Sequence, residues 1–130
     1  MSDLAKYAFK FRFEEHEFVE FFGIIGSFFE DAWSYSYELE RDGLRLLFTV
    51  FPHDGGAYTS IYRDGIKEPI FTSRLEGCTH SRFVVRGAQR CMEVGRPDTP
   101  TSEQAAPLAW GLRLFVEPHF KVEFIHEVAS

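Results

Sequence analysis

The sequence predicts an α+β fold: a mostly antiparallel β-meander, curved or sandwich-like, with one N-terminal amphipathic helix packed on it. The dipeptides Asp42-Gly43, Asp54-Gly55 and Asp64-Gly65 follow one another at near-regular spacing. Asp-Gly suits the two central positions of a type I′ turn, which need positive φ and which join antiparallel strands. Phe, which favours strands, accounts for 15 of the 130 residues. We expect a single domain over residues 1–130, long enough to bury its own core.

The first third of the chain is expected to hold one strand and the helix. Tyr7, Phe9, Phe11 and Phe13 alternate with other residues, which is the period of a strand with one buried face. Between residues 15 and 30 the apolar spacing changes to three and four, which indicates an amphipathic helix. Gly23 and Gly26 weaken this helix by about 1 kcal/mol each. They either allow close packing on the sheet or end the helix early.

Period-two patterns predict most strands of the meander, short apolar runs predict those at residues 83–85 and 91–94, and the strongest hairpin lies around Asp42-Gly43. Between residues 96 and 107 three prolines predict a loop, and residues 102–106 within it have the composition of one helical turn. About eight or nine strands are expected. Those after the helix cover residues 33–39, 44–50, 58–62, 70–75, 83–85, 91–94, 110–116 and 120–126.

Charge is distributed unevenly along this acidic chain. The formal net charge is −6, which argues against general affinity for nucleic acid or for an anionic membrane. Residues 14–40 contain eight carboxylates and no Lys or Arg, whereas the cations of residues 74–96 are all arginines. One face is therefore expected to be acidic and another mildly basic, although ordinary solvated faces would give the same pattern.

The sequence contains no recognisable catalytic signature. Phosphate-binding loops, the Gly-x-Ser-x-Gly motif and the cysteine-protease motif are all absent. Cys78, His80, Cys91 and His53 supply nucleophile and zinc-ligand residue types, but without the spacing of a structural zinc site. They would form a thiolate–imidazole pair or a metal site only if the fold brought them together. Buried thiols are the alternative, and we expect no metal and no cofactor.

The sequence also bears on the compartment. Two cysteines do not make a disulfide framework, and the N terminus lacks the basic and apolar regions of a signal peptide. The apolar stretch at residues 18–29 is too short to span a bilayer. We therefore expect a cytoplasmic protein that does not contact a membrane.

Aromatic residues lie next to the acidic run. Trp33, Tyr35 and Tyr37 are on a predicted strand, and Trp and Tyr are residue types that form interface hot spots. If these side chains turn outward, they form a binding surface beside the acidic helix. The alternative is that they complete the core.

Two segments resemble the meander of small bacterial immunity proteins from polymorphic toxin systems. They are residues 35–51, YSYELERDGLRLLFTVF, and residues 71–78, FTSRLEGC. The resemblance rests on alternating strands, an Asp-Gly hairpin and a small residue that closes the next strand. It implies a soluble protein that neutralises a cognate toxin by covering its active site.

We therefore expect a non-enzymatic protein-binding module of the immunity or inhibitor type, with a basic protein partner. Alternatives are a small enzyme or ligand-binding domain with a Cys/His-lined cavity, and a structural subunit of a larger assembly. Homodimer formation also stays open. The residues expected at the partner surface are Glu14, Glu17, Glu20, Glu30, Asp31, Trp33, Tyr35, Tyr37, Glu38 and Glu40.

Overall fold

A computed structural model describes residues 11–126, which form one helix and nine strands in two antiparallel sheets. This confirms the predicted α+β class. The helix α1 spans Glu15–Phe22. The strands are β1 (Ser27–Phe29), β2 (Ser34–Arg41), β3 (Leu44–Phe51), β4 (Gly56–Arg63), β5 (Phe71–Leu75), β6 (His80–Arg86), β7 (Gln89–Arg96), β8 (Trp110–Phe115) and β9 (Lys121–His126).

The first sheet has the order β1-β2-β3-β4-β5, so each strand pairs with the next in the chain. Asp42 and Gly43, with φ of 58° and 74°, form the two-residue turn between β2 and β3 that the sequence predicts. The other two dipeptides behave differently, because only their glycines have positive φ. Gly55 ends a four-residue loop between β3 and β4, and Gly65 lies in a turn well before β5 begins.

The second sheet is also a meander, with the order β6-β7-β8-β9. The Pro-rich segment that the sequence predicts as a loop connects β7 to β8. Within it, the amide of Ala106 donates to the carbonyl oxygen of Glu103 at 3.2 Å. This is a single hydrogen-bonded turn and not a helix.

The helix is shorter than the predicted range of residues 15–30. Gly23 adopts the left-handed conformation at φ 75°, and its amide donates to the carbonyl oxygen of Val19. Gly23 therefore caps the helix at its C-terminal end, and the chain returns as β1. No helix within residues 11–126 combines the length and the hydropathy needed to cross a membrane.

The core lies between the two sheets, and the helix contacts both. Phe18 is fully buried, and its ring centroid lies 6.0 Å from that of Tyr37 on β2 and 5.2 Å from that of Phe83 on β6. Phe21 and Phe22 are also buried. Side chains of β3, β7 and β8 complete the same apolar cluster.

The predicted N-terminal strand is only partly covered, because Tyr7 and Phe9 lie outside the described residues. Residues 11–14 are not in a strand. The amide of Arg12 donates to the carbonyl oxygen of Thr79 at 3.3 Å, and the Phe13 ring packs 4.7 Å from Tyr35. This segment therefore spans from the second sheet to the first.

Gly95 and Gly111 face each other on β7 and β8, where the two backbones approach closely. A Cβ at Gly95 would overlap the carbonyl oxygen of Trp110 and lie 2.7 Å from the Cα of Gly111. We expect Gly95→Ala to lower the free energy of unfolding by about 3 kcal/mol, because backbone atoms must move.

Gly87→Ala is the control, since a Cβ there has open space around it and meets only the cost of φ +65°. That cost is about 1 kcal/mol. Urea unfolding of both variants measures the difference. Equal losses in the two variants would contradict the close approach of β7 and β8.

Candidate functional site

Exposed aromatic side chains gather at β1, an outer strand of the first sheet. Phe28, Phe29 and Trp33 are 44%, 52% and 53% exposed. The Phe28 ring lies 5.5 Å from that of Trp33 and 4.9 Å from that of Tyr35. Tyr35 is half-buried and packs against both Phe28 and Phe13, so it connects the exposed rings to the rest of the fold.

The turn between β1 and β2 positions Trp33. The Trp33 amide donates to the carbonyl oxygen of Glu30 at 3.2 Å, and Trp33 adopts φ 48°. A left-handed conformation costs a residue with a side chain about 1–2 kcal/mol. It places the indole 4.9 Å from the His53 ring, between ring centroids. Strain of this kind persists where the surrounding structure imposes it, and it is common at binding sites.

Two carboxylates occupy the same turn. Glu30 and Asp31 are exposed, and within residues 11–126 neither has an ion pair. Asp54, which follows His53, is also exposed. We use the name edge patch for Phe28, Phe29, Glu30, Asp31 and Trp33.

The helical carboxylates lie elsewhere. Glu14 is exposed at the N-terminal end of α1, where its carbonyl oxygen accepts from the amide of Glu17. The Glu17 carboxylate lies 2.7 Å from Arg12, and Glu20 lies 3.6 Å from Arg90. Two of these three side chains are thus paired with arginine.

Glu38 and Glu40 face away from the helix. Side chains alternate between the two faces along a strand. Tyr37 points toward Phe22 of the helix, with ring centroids 4.8 Å apart, so its neighbour Glu38 and also Glu40 lie on the other face. Glu38 is bound to Arg45 at 2.8 Å, on the opposite face of the sheet. The predicted acidic residues are therefore divided among the helix, the β1–β2 turn and the outer face of the sheet.

Tyr37 belongs to the core. Its side chain is fully buried, and burial raises the pKa of its hydroxyl. Among the described residues, that hydroxyl has no hydrogen-bond partner. The structure therefore brings together Glu30, Asp31, Trp33 and Tyr35 at one edge, while Tyr37 is inaccessible from the surface.

The cysteines and histidines considered as an alternative site show neither an activated thiol nor, within the described residues, a metal-ligand cluster. Burial raises the pKa of Cys78 to about 12 and that of Cys91 to about 11, so both thiols stay protonated. His80 is buried and uses both ring nitrogens: Nε2 donates to the carbonyl oxygen of Glu103, so Nδ1 accepts from the Thr79 hydroxyl. Within residues 11–126, no three His, Cys, Asp or Glu side chains are placed to hold a metal ion.

A cleft of about 730 Å³ lies elsewhere, between the end of α1 and the β8–β9 connection. Its charged lining is balanced, with Glu20 and Glu117 against Arg41 and Arg90. Arg41 donates to the carbonyl oxygen of Val116. This cleft is not lined by Cys78, His80, Cys91 or His53. It therefore does not match the Cys/His-lined cavity that the sequence analysis gave as an alternative.

The structure shows a buried ionic cluster that the sequence did not suggest. Glu93 on β7 is fully buried and accepts from Nε of Arg82 at 2.8 Å, from Nε of Arg113 at 2.7 Å and from Nη2 of Arg86 at 3.0 Å. Burial alone would raise the pKa of Glu93, but these arginine hydrogen bonds lower it below its usual range.

The same cluster fastens the loop between β7 and β8. Arg82 donates to the carbonyl oxygens of Gln104 and Ala106. Arg82 and Arg86 are thus both paired with Glu93, although Arg86 itself is exposed. Arg90 packs over the rings of Phe21 and Phe83. These three arginines of the predicted mildly basic face are therefore paired with carboxylates.

Comparisons with known proteins give one informative similarity. No protein-family model matches the sequence, and no curated protein matches it. A solved chain from a "Contact-dependent growth inhibition toxin - immunity protein complex from Klebsiella pneumoniae 342" has a similar structure, with a TM-score of 0.70. The match has 14% sequence identity and covers 89% of this chain and 96% of that chain. It confirms, at the level of the fold, the resemblance predicted from the sequence.

Acid should destabilise the fold in two steps. Burial lowers the pKa of His80, so the free energy of unfolding is highest above the ordinary value of 6.5 and falls as pH drops below it. The contribution of Glu93 is present above 4.5 and is lost as pH falls through its lowered pKa.

Urea unfolding across both ranges tests this assignment. His80→Gln should flatten the first decrease and leave the second. The exposed His126→Gln is the control. The same pH dependence in His80→Gln and the wild-type protein would show that His80 is not responsible.

Proposed function

We propose that this chain is an immunity-type protein that neutralises a toxin by binding it through the edge patch. The observation that carries the proposal is the edge patch itself, an exposed aromatic group with unpaired carboxylates on a fold shared with a chain of a toxin–immunity protein complex. The resemblance in residues 35–51 and 71–78 supports the immunity role rather than the toxin role.

The composition of the edge patch suits a protein partner. Aromatic side chains form hot spots when a partner removes them from water, and Trp33 is held in place before binding by its turn and by His53. A preformed side chain loses less conformational entropy on binding. The partner-facing surface in this proposal is therefore smaller than the sequence suggested, with Glu30, Asp31 and Trp33 at its centre.

The charge of the edge patch favours a basic partner. Glu30 and Asp31 are exposed and unpaired within the described part of the chain, whereas Glu17, Glu20 and Glu38 lie beside arginines. Unpaired carboxylates attract a cationic surface over several ångströms and raise the association rate. We further propose that the protein acts in the cytoplasm, where its two thiols stay reduced.

Co-purification and growth rescue test the proposed function. An immunity role predicts a large toxin-type protein encoded immediately upstream of this chain, and the recombinant C-terminal domain of that protein is the probe. We expect a stable complex and normal growth of cells that express both proteins. Failure to form this complex, or growth arrest caused by this chain alone, would contradict an immunity role.

The charge contribution is measured with two double variants of equal net charge. Glu30→Gln with Asp31→Asn should slow association about three- to tenfold at low ionic strength. Glu38→Gln with Glu40→Gln removes the same charge from the outer face of the sheet and should have little effect. Equal effects of both pairs would show that only net charge matters.

Trp33→Gly tests the aromatic anchor. We expect binding to weaken about 30-fold or more, as for an interface hot spot. The fold should change little in stability, because Gly accepts φ 48° without strain. Val85→Ala, on an exposed side chain of β6, is the control. Unchanged affinity in Trp33→Gly, measured by calorimetry, would remove the edge patch from the interface.

A further inference from the structure

The sheet edges in the described part of the chain differ in how they are protected. Natural proteins protect outer strands with charged residues, with proline or with a covering segment, because unpaired backbone groups attract other strands. β9 carries Lys121 and Glu123. β5 carries Arg74, and Pro69 precedes it.

β6 is covered where it begins. The hydroxyl of Ser81 donates to the carbonyl oxygen of Arg12, and the Arg12 amide donates to the carbonyl oxygen of Thr79. β6 also carries two arginines, Arg82 and Arg86. Three of the four outer strands thus have the usual protection.

Within residues 11–126, β1 is protected only by its short length of three residues. Its sequence is Ser27-Phe28-Phe29, without a charge or a proline, and all three residues are exposed. Its pairing within residues 11–126 is with β2, through Ser27–Ser36, Phe28–Tyr35 and Phe29–Ser34. In this described part of the chain, its other side presents backbone amides and carbonyls next to two exposed phenyl rings.

We propose that the partner adds a β-strand to β1, so that the first sheet of this chain continues into the partner. This inference rests on the proposed function and specifies how the edge patch is used. The occupant is an extended, basic segment of the toxin-type partner. Glu30 and Asp31 follow β1 directly and are exposed, which favours cationic side chains at that end of the added strand.

Phe28 and Phe29 would then contact side chains of the added strand and so determine which sequences bind. Successive residues of a strand point to opposite faces, so Phe28 and Phe29 lie on opposite faces of the sheet. Apolar residues of the partner would pair across the strands with each ring. Backbone hydrogen bonds supply affinity in this mode of recognition, and the side-chain contacts supply specificity.

Proline substitutions test the added strand. In an antiparallel pair, the amides of successive residues point to alternate sides of the strand, so either Phe28 or Phe29 directs its amide away from β2. Phe28→Pro and Phe29→Pro are compared with Phe28→Ala and Phe29→Ala, which remove the same ring and keep the amide. Thermal unfolding shows which proline variant stays folded.

The probe is the same C-terminal domain of the upstream protein. The folded proline variant should bind about tenfold more weakly than its alanine counterpart, because it lacks a donor to the added strand. Hydrogen exchange should show slower amide exchange at residues 27–29 in the complex. Equal affinity of the two variants, with unchanged exchange, would overturn the added strand.

The outcomes separate this inference from the proposed function. If Trp33→Gly weakens binding but the proline variants bind like their alanine counterparts, the added strand fails and the proposed function stands. If the probe does not bind at all, both fail. Slow exchange, in the isolated protein, of the β1 amide that points away from β2 would mean that this chain or a second copy already covers β1. Light scattering distinguishes a monomer, in which this chain covers its own β1, from a dimer, in which a second copy covers it. Either finding overturns the inference.

Discussion

The fully buried Phe18 ring is the contact on which the rest of the structure depends. Each sheet has one apolar face, and a sheet is stable only when that face is covered. Phe18 packs against Tyr37 of the first sheet and Phe83 of the second. The short helix therefore fills the space between the two sheets and contacts both of them.

The length of the helix determines where the exposed aromatic residues of β1 lie. Gly23 ends the helix after eight residues, and a Cβ at Gly26 would lie 2.6 Å from the Tyr37 ring. The chain can therefore turn closely over Tyr37 and return as β1. Phe28 and Phe29, which continue the helical spacing in the sequence, are placed at a sheet edge instead. A backbone feature of one glycine thus turns core-type residues into an exposed aromatic group.

Much of the fold could be predicted from local patterns. Period two located most of the strands from β2 to β9, and short apolar runs located β6 and β7. Asp42-Gly43 identified the tightest hairpin. The end of the helix was less predictable, since Gly23 allows either packing or termination. β1 was missed because a three-residue strand is too short to show a period.

The arrangement of the candidate site could be predicted from the sequence only in part, for physical reasons. Glu30, Asp31 and Trp33 are close in the sequence and stay close in the fold. Glu38 lies on a strand whose faces are assigned only when Tyr37 is seen to be buried. The ion pairs of Glu93 depend on the register of β6, β7 and β8, which joins residues up to 20 positions apart. Composition alone contains no such information.

The close approach of β7 and β8 has a consequence for recognising distant relatives. Gly95 and Gly111 are paired, and a side chain at either would overlap the backbone of the opposite strand. Neither position can compensate for a change at the other, because the obstacle is main chain. A protein that shares this fold at an identity as low as 14% is therefore expected to keep two facing glycines on these strands. Such a pair would mark the fold where most other residues differ.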